Sequence, residues 1–176
     1  MEGQKEWFDF TIHDCSGSAY FQRELKNIFP ENENIDEIKL IITFQSLKPT
    51  LAPPQSVVSE KKGELSEQMK QLCLEKFIEI AQQLEKRLPW NFFDYVDPAS
   101  GVLMNQDNPN RVYYETLGID HFLKHYKSVQ IGMCRVTDHP KFGLDCYPAS
   151  IFVSGEVAEE EIELVLREMA KIYQNQ

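Results

Sequence analysis

The sequence predicts a single α+β domain, a largely antiparallel sheet with flanking helices. Three observations predict it. Apolar residues alternate at period two in several short segments. They recur at steps of three and four in longer ones. The two kinds of segment are interspersed without regular strand–helix–strand repeats. The 176 residues are 42% hydrophobic and 26% charged, a balance that suits one domain spanning residues 1–176 with a sizeable core.

The first strand is read from Phe8, Phe10 and Ile12, which alternate with Asp9 and Thr11. A turn at Cys15 to Ser18 follows. Phe21, Leu25 and Ile28 then recur at helical spacing, with Ser18 as N-cap and Pro30 as stop. Glu31 to Asp36 reads as a polar loop, and Ile38, Leu40, Ile42 and Phe44 as a second strand. The segment from about 46 to 66 carries Pro49, Pro53 and Pro54 and is expected to be flexible, with Val57 and Val58 as its one extended piece.

Met69, Cys73, Phe77, Ile80, Leu84 and Leu88 then form one apolar stripe, the signature of a long helix ended by Pro89. Phe92 to Val96 reads as a strand. Asp97-Pro98-Ala99-Ser100-Gly101 reads as a turn, because Pro98 presets φ, Asp97 can bond to its own backbone and Gly101 tolerates positive φ. Val102 to Met104 is a candidate returning strand, and Thr116 to Tyr126 a short helix in which Gly118 is unfavourable. Val129 to Val136 and Cys146 to Val153 read as strands. Ala158, Ile162, Val165, Met169 and Tyr173 define a last helix whose first turn holds Glu159, Glu160 and Glu161, where negative charge suits the helix dipole.

The formal net charge of -10 disfavours nucleic acid and anionic membrane surfaces as partners. No apolar run approaches the roughly 20 residues of a membrane span. The polar, acidic start resembles neither a secretory nor a mitochondrial leader, so a cytoplasmic location is expected, or a mitochondrial one for a chain whose leader has been removed.

Motifs for phosphate cradling, nucleophile elbows and zinc proteolysis are missing from the sequence, so no enzyme is expected. His121 and His125, four apart, would share a helix face and could bind a metal, but no third ligand is evident. Asp94 and Asp97 could form an acid–base pair, although Asp97 is better explained by its turn and Asp94 by a helix end or solvent. His139 reads as a surface histidine. Cys15, Cys73, Cys134 and Cys146 form no CxxC pair and are expected to be free thiols, with Cys73 in the core. Cys134 stands out because Arg135 follows it and Lys127 lies upstream, both able to favour a nucleophilic, metal-binding thiolate. Strand alternation would set Val129, Ile131 and Met133 on one face and Cys134 and Val136 on the other, unless Gly132 marks a bulge.

Several blocks, in order, resemble the type D cobalamin-trafficking family, named for combined methylmalonic aciduria and homocystinuria. Asp94-Tyr95-Val96-Asp97-Pro98-Ala99-Ser100-Gly101 is similar to its D-F-I-D-P-S-S-G block. Ile12 to Cys15, Ile28-Phe29-Pro30-Glu31, Lys76-Phe77-Ile78 and Ser150-Ile151-Phe152 resemble further blocks. Gly132-Met133-Cys134-Arg135-Val136 resembles its G-C-C-K-V, with a histidine following as at His139. The blocks spread from about residue 7 to 154. The C-terminal acidic helix is poorly matched, and the family's long leader has no counterpart.

The resemblance implies a nitroreductase-like fold without flavin, and no cofactor bound by the protein alone. It implies an adaptor in intracellular vitamin B12 trafficking that meets the cobalamin-loaded type C processing protein. The adaptor then directs the cofactor towards methionine synthase or methylmalonyl-CoA mutase. A family cysteine ligates cobalt through sulfur. That position here is Met133, a neutral thioether donor, and Cys134 is the second of the pair, so Cys134 and Met133 are the candidate cobalt contacts. The alternatives are a flavin-dependent reductase of nitroreductase type, for which no basic FMN-phosphate cluster is evident, and a protein-interaction domain that has lost cobalamin involvement.

Overall fold

A computed structural model describes residues 6–48, 62–107 and 111–174 of the chain. Four strands, β1 (Phe8–Asp14), β2 (Lys39–Ser46), β3 (Phe92–Tyr95) and β6 (Cys146–Ser154), form one sheet in the order β1-β2-β6-β3. Every neighbouring pair in it is antiparallel. β4 (Lys127–Ile131) and β5 (Cys134–Asp138) form a separate two-stranded sheet. The helices are α1 (Ala19–Ile28), α2 (Lys62–Arg87), α3 (Glu115–Phe122) and α4 (Glu159–Gln174). This is the α+β architecture the alternating and helical segments predict.

Both faces of the main sheet are covered. Leu40, Ile42, Phe44 and Phe152 pack with Phe21 and Leu25 of α1 and Ile119 of α3. On the opposite face Ile41, Ile151 and Val153 pack with Phe77, Ile80 and Leu84 of α2 and Ile162, Val165 and Leu166 of α4. β2 and β6 lie at the centre, so their alternate residues are buried on both sides. That burial takes in polar groups, which are therefore bonded. Thr43 Oγ1 donates to the Ala149 carbonyl at 3.1 Å, and Gln45 Nε2 donates to the Cys73 carbonyl of α2 at 2.7 Å.

Local chemistry sets the ends of the elements. Ser18 Oγ accepts the Phe21 N–H at 3.1 Å and caps α1, which stops at Ile28 before Pro30. Asp97 accepts the Ala99 N–H and the Ser100 hydroxyl, and Gly101 sits at φ 74°, as the turn after β3 requires. Glu161 Oε2 accepts the Ala158 N–H at 3.1 Å at the start of α4.

Several expectations change. Val129 to Val136 is not one strand: Gly132, at φ 60°, and Met133 form a two-residue turn between β4 and β5, with Ile131 paired to Cys134. The helix expected over Thr116 to Tyr126 ends at Phe122, so His121 and His125 do not share a helix face. Val102 to Met104 contributes only an isolated bridge, Val96 to Leu103. A short 3-10 turn at Ile35–Glu37 closes the loop after α1. Ser46 completes β2 and Lys62 opens α2. The expected extended piece at Val57 and Val58 lies outside the described residues.

Candidate functional site

The β4–β5 hairpin is the element whose surroundings least resemble a core. All five residues of β4 are exposed, as are Cys134 and Arg135 of β5. In a hairpin, directly paired residues lie on the same face, and residues two apart share it. The pairs Val129–Val136 and Ile131–Cys134 therefore set Val129, Ile131, Cys134 and Val136 on one face. Ser128, Gln130, Arg135 and Thr137 lie on the other. The turn resets the parity, which corrects the separation of Ile131 from Cys134 expected for a continuous strand.

The polar face is the one turned towards the body. Arg135 Nε donates to Ser128 Oγ at 2.9 Å, its guanidinium pairs with Asp120 of α3, and Thr137 is buried. The apolar face is turned away. Val129 is 40% exposed and Ile131 52%, and Met133 at the tip is 99% exposed. Ser128, Gln130 and Arg135 of the polar face are exposed too, so most of the hairpin is open to solvent on both faces. Exposed apolar side chains grouped in this way can serve as a contact for another molecule.

Cys134 is the one exposed thiol of the four; Cys15, Cys73 and Cys146 are buried. Burial pushes the Cys15 thiol up to about 12 and those of Cys73 and Cys146 up to about 11, which keeps all three protonated near neutrality. Cys73 lies in the core, as its stripe predicts. The two cations expected to act on Cys134 are placed otherwise. Arg135 is engaged by Asp120 and Ser128 on the opposite face. Lys127 pairs across to Asp138 at the far end of the hairpin, four residues or about 13 Å from Ile131. Cys134 is thus distinguished by exposure rather than by neighbouring charge.

His139, at the base of the hairpin, is buried rather than on the surface. Its ring stacks on Phe142 at 4.7 Å and packs against Phe44 and Tyr126. Nδ1 accepts the backbone N–H groups of Lys141 and Phe142 at 3.2 and 3.4 Å, leaving the proton on Nε2, which faces Asp9 Oδ2 at 3.7 Å. Burial lowers its pKa, opposed by Asp9. The imidazole is a neutral bracket that fixes the hairpin base to β1 and β2.

The other candidates are structural. Asp94 is buried and accepts the backbone N–H groups of Tyr95 and Asn105 and the Gln106 amide, which corrects its assignment to a helix end or solvent. Burial raises its pKa against those bonds. Ser150 of β6 donates its hydroxyl to Glu115, a carboxyl buried at the first turn of α3. Burial pushes Glu115 up to about 7, the Ser150 bonds opposing. Sequence reasoning missed Glu115, since one acid at the start of a helix looks like ordinary dipole chemistry. Among the described residues no three His, Cys, Asp or Glu side chains come together to hold a metal ion, and no helix is long and apolar enough to cross a membrane. No family model matches the chain, and no curated protein matches it.

Proposed function

We propose that the protein is an adaptor of cobalamin trafficking, in the manner of the type D family whose sequence blocks it resembles. The β4–β5 hairpin is the part it presents to a cobalamin-loaded partner of the type C processing kind. The observation that carries this reading is the outward apolar face of the hairpin, with Met133 at its tip and the exposed Cys134 thiol beside it. An exposed thiol can offer sulfur, a soft donor suited to cobalt, and apolar side chains around it would exclude water from the contact. Between His121 and Thr137 the chain carries three bases and no carboxylate. The one carboxylate of the hairpin is Asp138, at its far end opposite Lys127.

In this reading the protein is not an enzyme, holds no flavin, and uses a nitroreductase-like scaffold to position the hairpin. It serves the route to methionine synthase or to methylmalonyl-CoA mutase. Met133 favours a second reading, because the family's ligating cysteine is replaced there: an interaction domain that docks through the same hairpin without cobalt–sulfur bonding.

The test is to mix the protein with the cobalamin-loaded type C protein and to follow complex formation and the cobalamin absorption spectrum. Complex formation with a spectral change that Cys134→Ser abolishes and Met133→Cys strengthens is the expected result. A complex with no spectral change in any variant selects the second reading. Failure to form a complex at all refutes the adaptor.

A further inference from the structure

We infer that a trough on the α1 and α3 side of the molecule is a second docking surface, for an extended basic peptide segment of a partner protein. It is separate from the hairpin face. One cleft of about 600 Å³ lies between α1 and residues 111–121. A second of about 840 Å³ lies between the loop after α1 and residues 91–92 and 106–107. The two share Asn27, Ile28 and Arg111, so they adjoin along one side of the molecule, together called the trough. Open and side by side, they offer more length than the enclosed pocket of a small ligand, and they suit a length of chain.

The lining identifies the chemistry of that chain. Tyr114 is 63% exposed, and Tyr20 and Val112 are nearly half exposed, all on the first cleft. Aromatic side chains held on the surface in this way are the anchors that interfaces use, and their faces attract cations. Five carboxylates line the trough against two bases, Lys26 and Arg111; one of the five, Asp120, is already paired with Arg135. His121, whose pKa is lowered by burial and then by Lys124, adds no positive charge near neutrality. Glu24, Glu31 and Asp107 make no ion pair among the described residues. A segment alternating Lys or Arg with apolar residues satisfies both features, placing its cations on the carboxylates and tyrosine rings and its apolar groups on Val112.

The trough therefore differs in sign from the hairpin, where Lys127 and Arg135 outnumber the one carboxylate, Asp138. α3 belongs to both surfaces, since Asp120 lines the trough and pairs with Arg135 of β5. A molecule with two faces of unlike charge can hold two unlike partners. This inference does not depend on cobalamin, because Cys134 and Met133 do not line the trough and Asp120 meets the hairpin only through Arg135 on its opposite face.

The experiment titrates the isotope-labelled protein with a capped pentapeptide of alternating lysines carrying one tryptophan and one leucine. The same peptide with glutamate in place of lysine is the control. The expected result is saturable shifts of the backbone amides of Tyr20, Tyr114 and their neighbours with the lysine peptide alone. The affinity should fall at least about fivefold when ionic strength rises from about 0.05 M to about 0.3 M. It should fall by a similar factor in Glu24→Lys/Asp107→Lys, at a part-exposed and an exposed position, with an unchanged amide spectrum elsewhere as the check on folding. Equal binding of both peptides, shifts confined to the hairpin, no saturable binding, or an affinity unchanged by the charge reversal would each overturn the proposal. Cys134→Ser should leave the shifts unaltered, which separates this outcome from failure of the adaptor reading.

Discussion

Thiol accessibility is the property of single residues with the most direct consequence. Three of the four cysteines are buried and one, Cys134, is exposed. An aromatic disulfide reagent added to the folded protein is therefore expected to react rapidly with one thiol, and with all four only after denaturation. Cys134→Ser should remove the rapid phase, while a fast phase persisting in that variant would show a second accessible thiol. His139 is the other decisive residue. Its ring fills a site among Phe44, Tyr126 and Phe142 while accepting two backbone N–H groups. His139→Ala should cost about 2–3 kcal/mol, from the cavity and the unpaired donors together. The depressed pKa also fixes a sign. The unfolded chain takes up a proton near 6.5 while the folded protein stays neutral, so the stability His139 supplies is present above that pH and lost as pH falls below it. Denaturant midpoints of the wild type and His139→Ala across that interval measure the difference.

Two glycines show how differently an element can depend on one position. Gly118 lies inside α3, where glycine is unfavourable by propensity alone. A Cβ there would fall 2.7 Å from Leu40 Cδ2 and against the Tyr113 hydroxyl. Glycine thus lets α3 lie close on β2. Gly118→Ala is expected to destabilise the protein by about 1–3 kcal/mol despite its better propensity, because the overpacking outweighs the propensity gain. A thermal melt checks it, and an unchanged or raised midpoint would show that α3 can shift outward at little cost. Gly132 has open space around it but sits at φ 60°. Gly132→Val would strain only the hairpin turn, by about 1–2 kcal/mol. It should disturb binding at the tip without lowering the melting temperature of the main sheet.

Across the whole molecule, acid–base balance centres on Glu115. Its carboxyl lies under α3 with the Ser150 hydroxyl as its hydrogen-bond partner, and its pKa is raised from 4.5 to about 7 by burial. The folded state keeps the proton that the unfolded chain releases. The stability tied to Glu115 is therefore full below pH 4.5 and is lost as pH rises towards 7. The loss amounts to something on the order of 3 kcal/mol. Glu115→Gln, which is always neutral, should flatten this decline and raise the melting temperature above neutral pH. A variant with the same slope as the wild type would place the ionisation elsewhere. His139 acts with the opposite sign in an overlapping window, so the comparison of Glu115→Gln with the wild type isolates the carboxyl.

The elements were legible in the sequence wherever one periodicity ran unbroken. Phe8 to Ile12, Leu40 to Phe44 and the stripe from Cys73 to Leu84 each carry enough regularly spaced apolar side chains to specify strand or helix by burial alone. Local chemistry was legible too, as at the Ser18 cap and the Asp97 turn, because those bonds join residues within three positions of each other. The character of the hairpin was not. Val129 to Val136 carries an apolar alternation like any buried strand, and only the Gly132–Met133 turn and the contact of Arg135 with Asp120 decide that its apolar face points outward. The burial of Asp94, Glu115 and His139 likewise depended on partners brought from distant parts of the chain, such as Ser150 across 35 positions. The sequence by itself determined the α+β class and the main helices and strands, since these follow from spacing within one segment. Tertiary structure alone decided which thiol meets solvent and which polar groups are buried, since exposure and pKa depend on every atom packed around a side chain, whatever its place in the sequence.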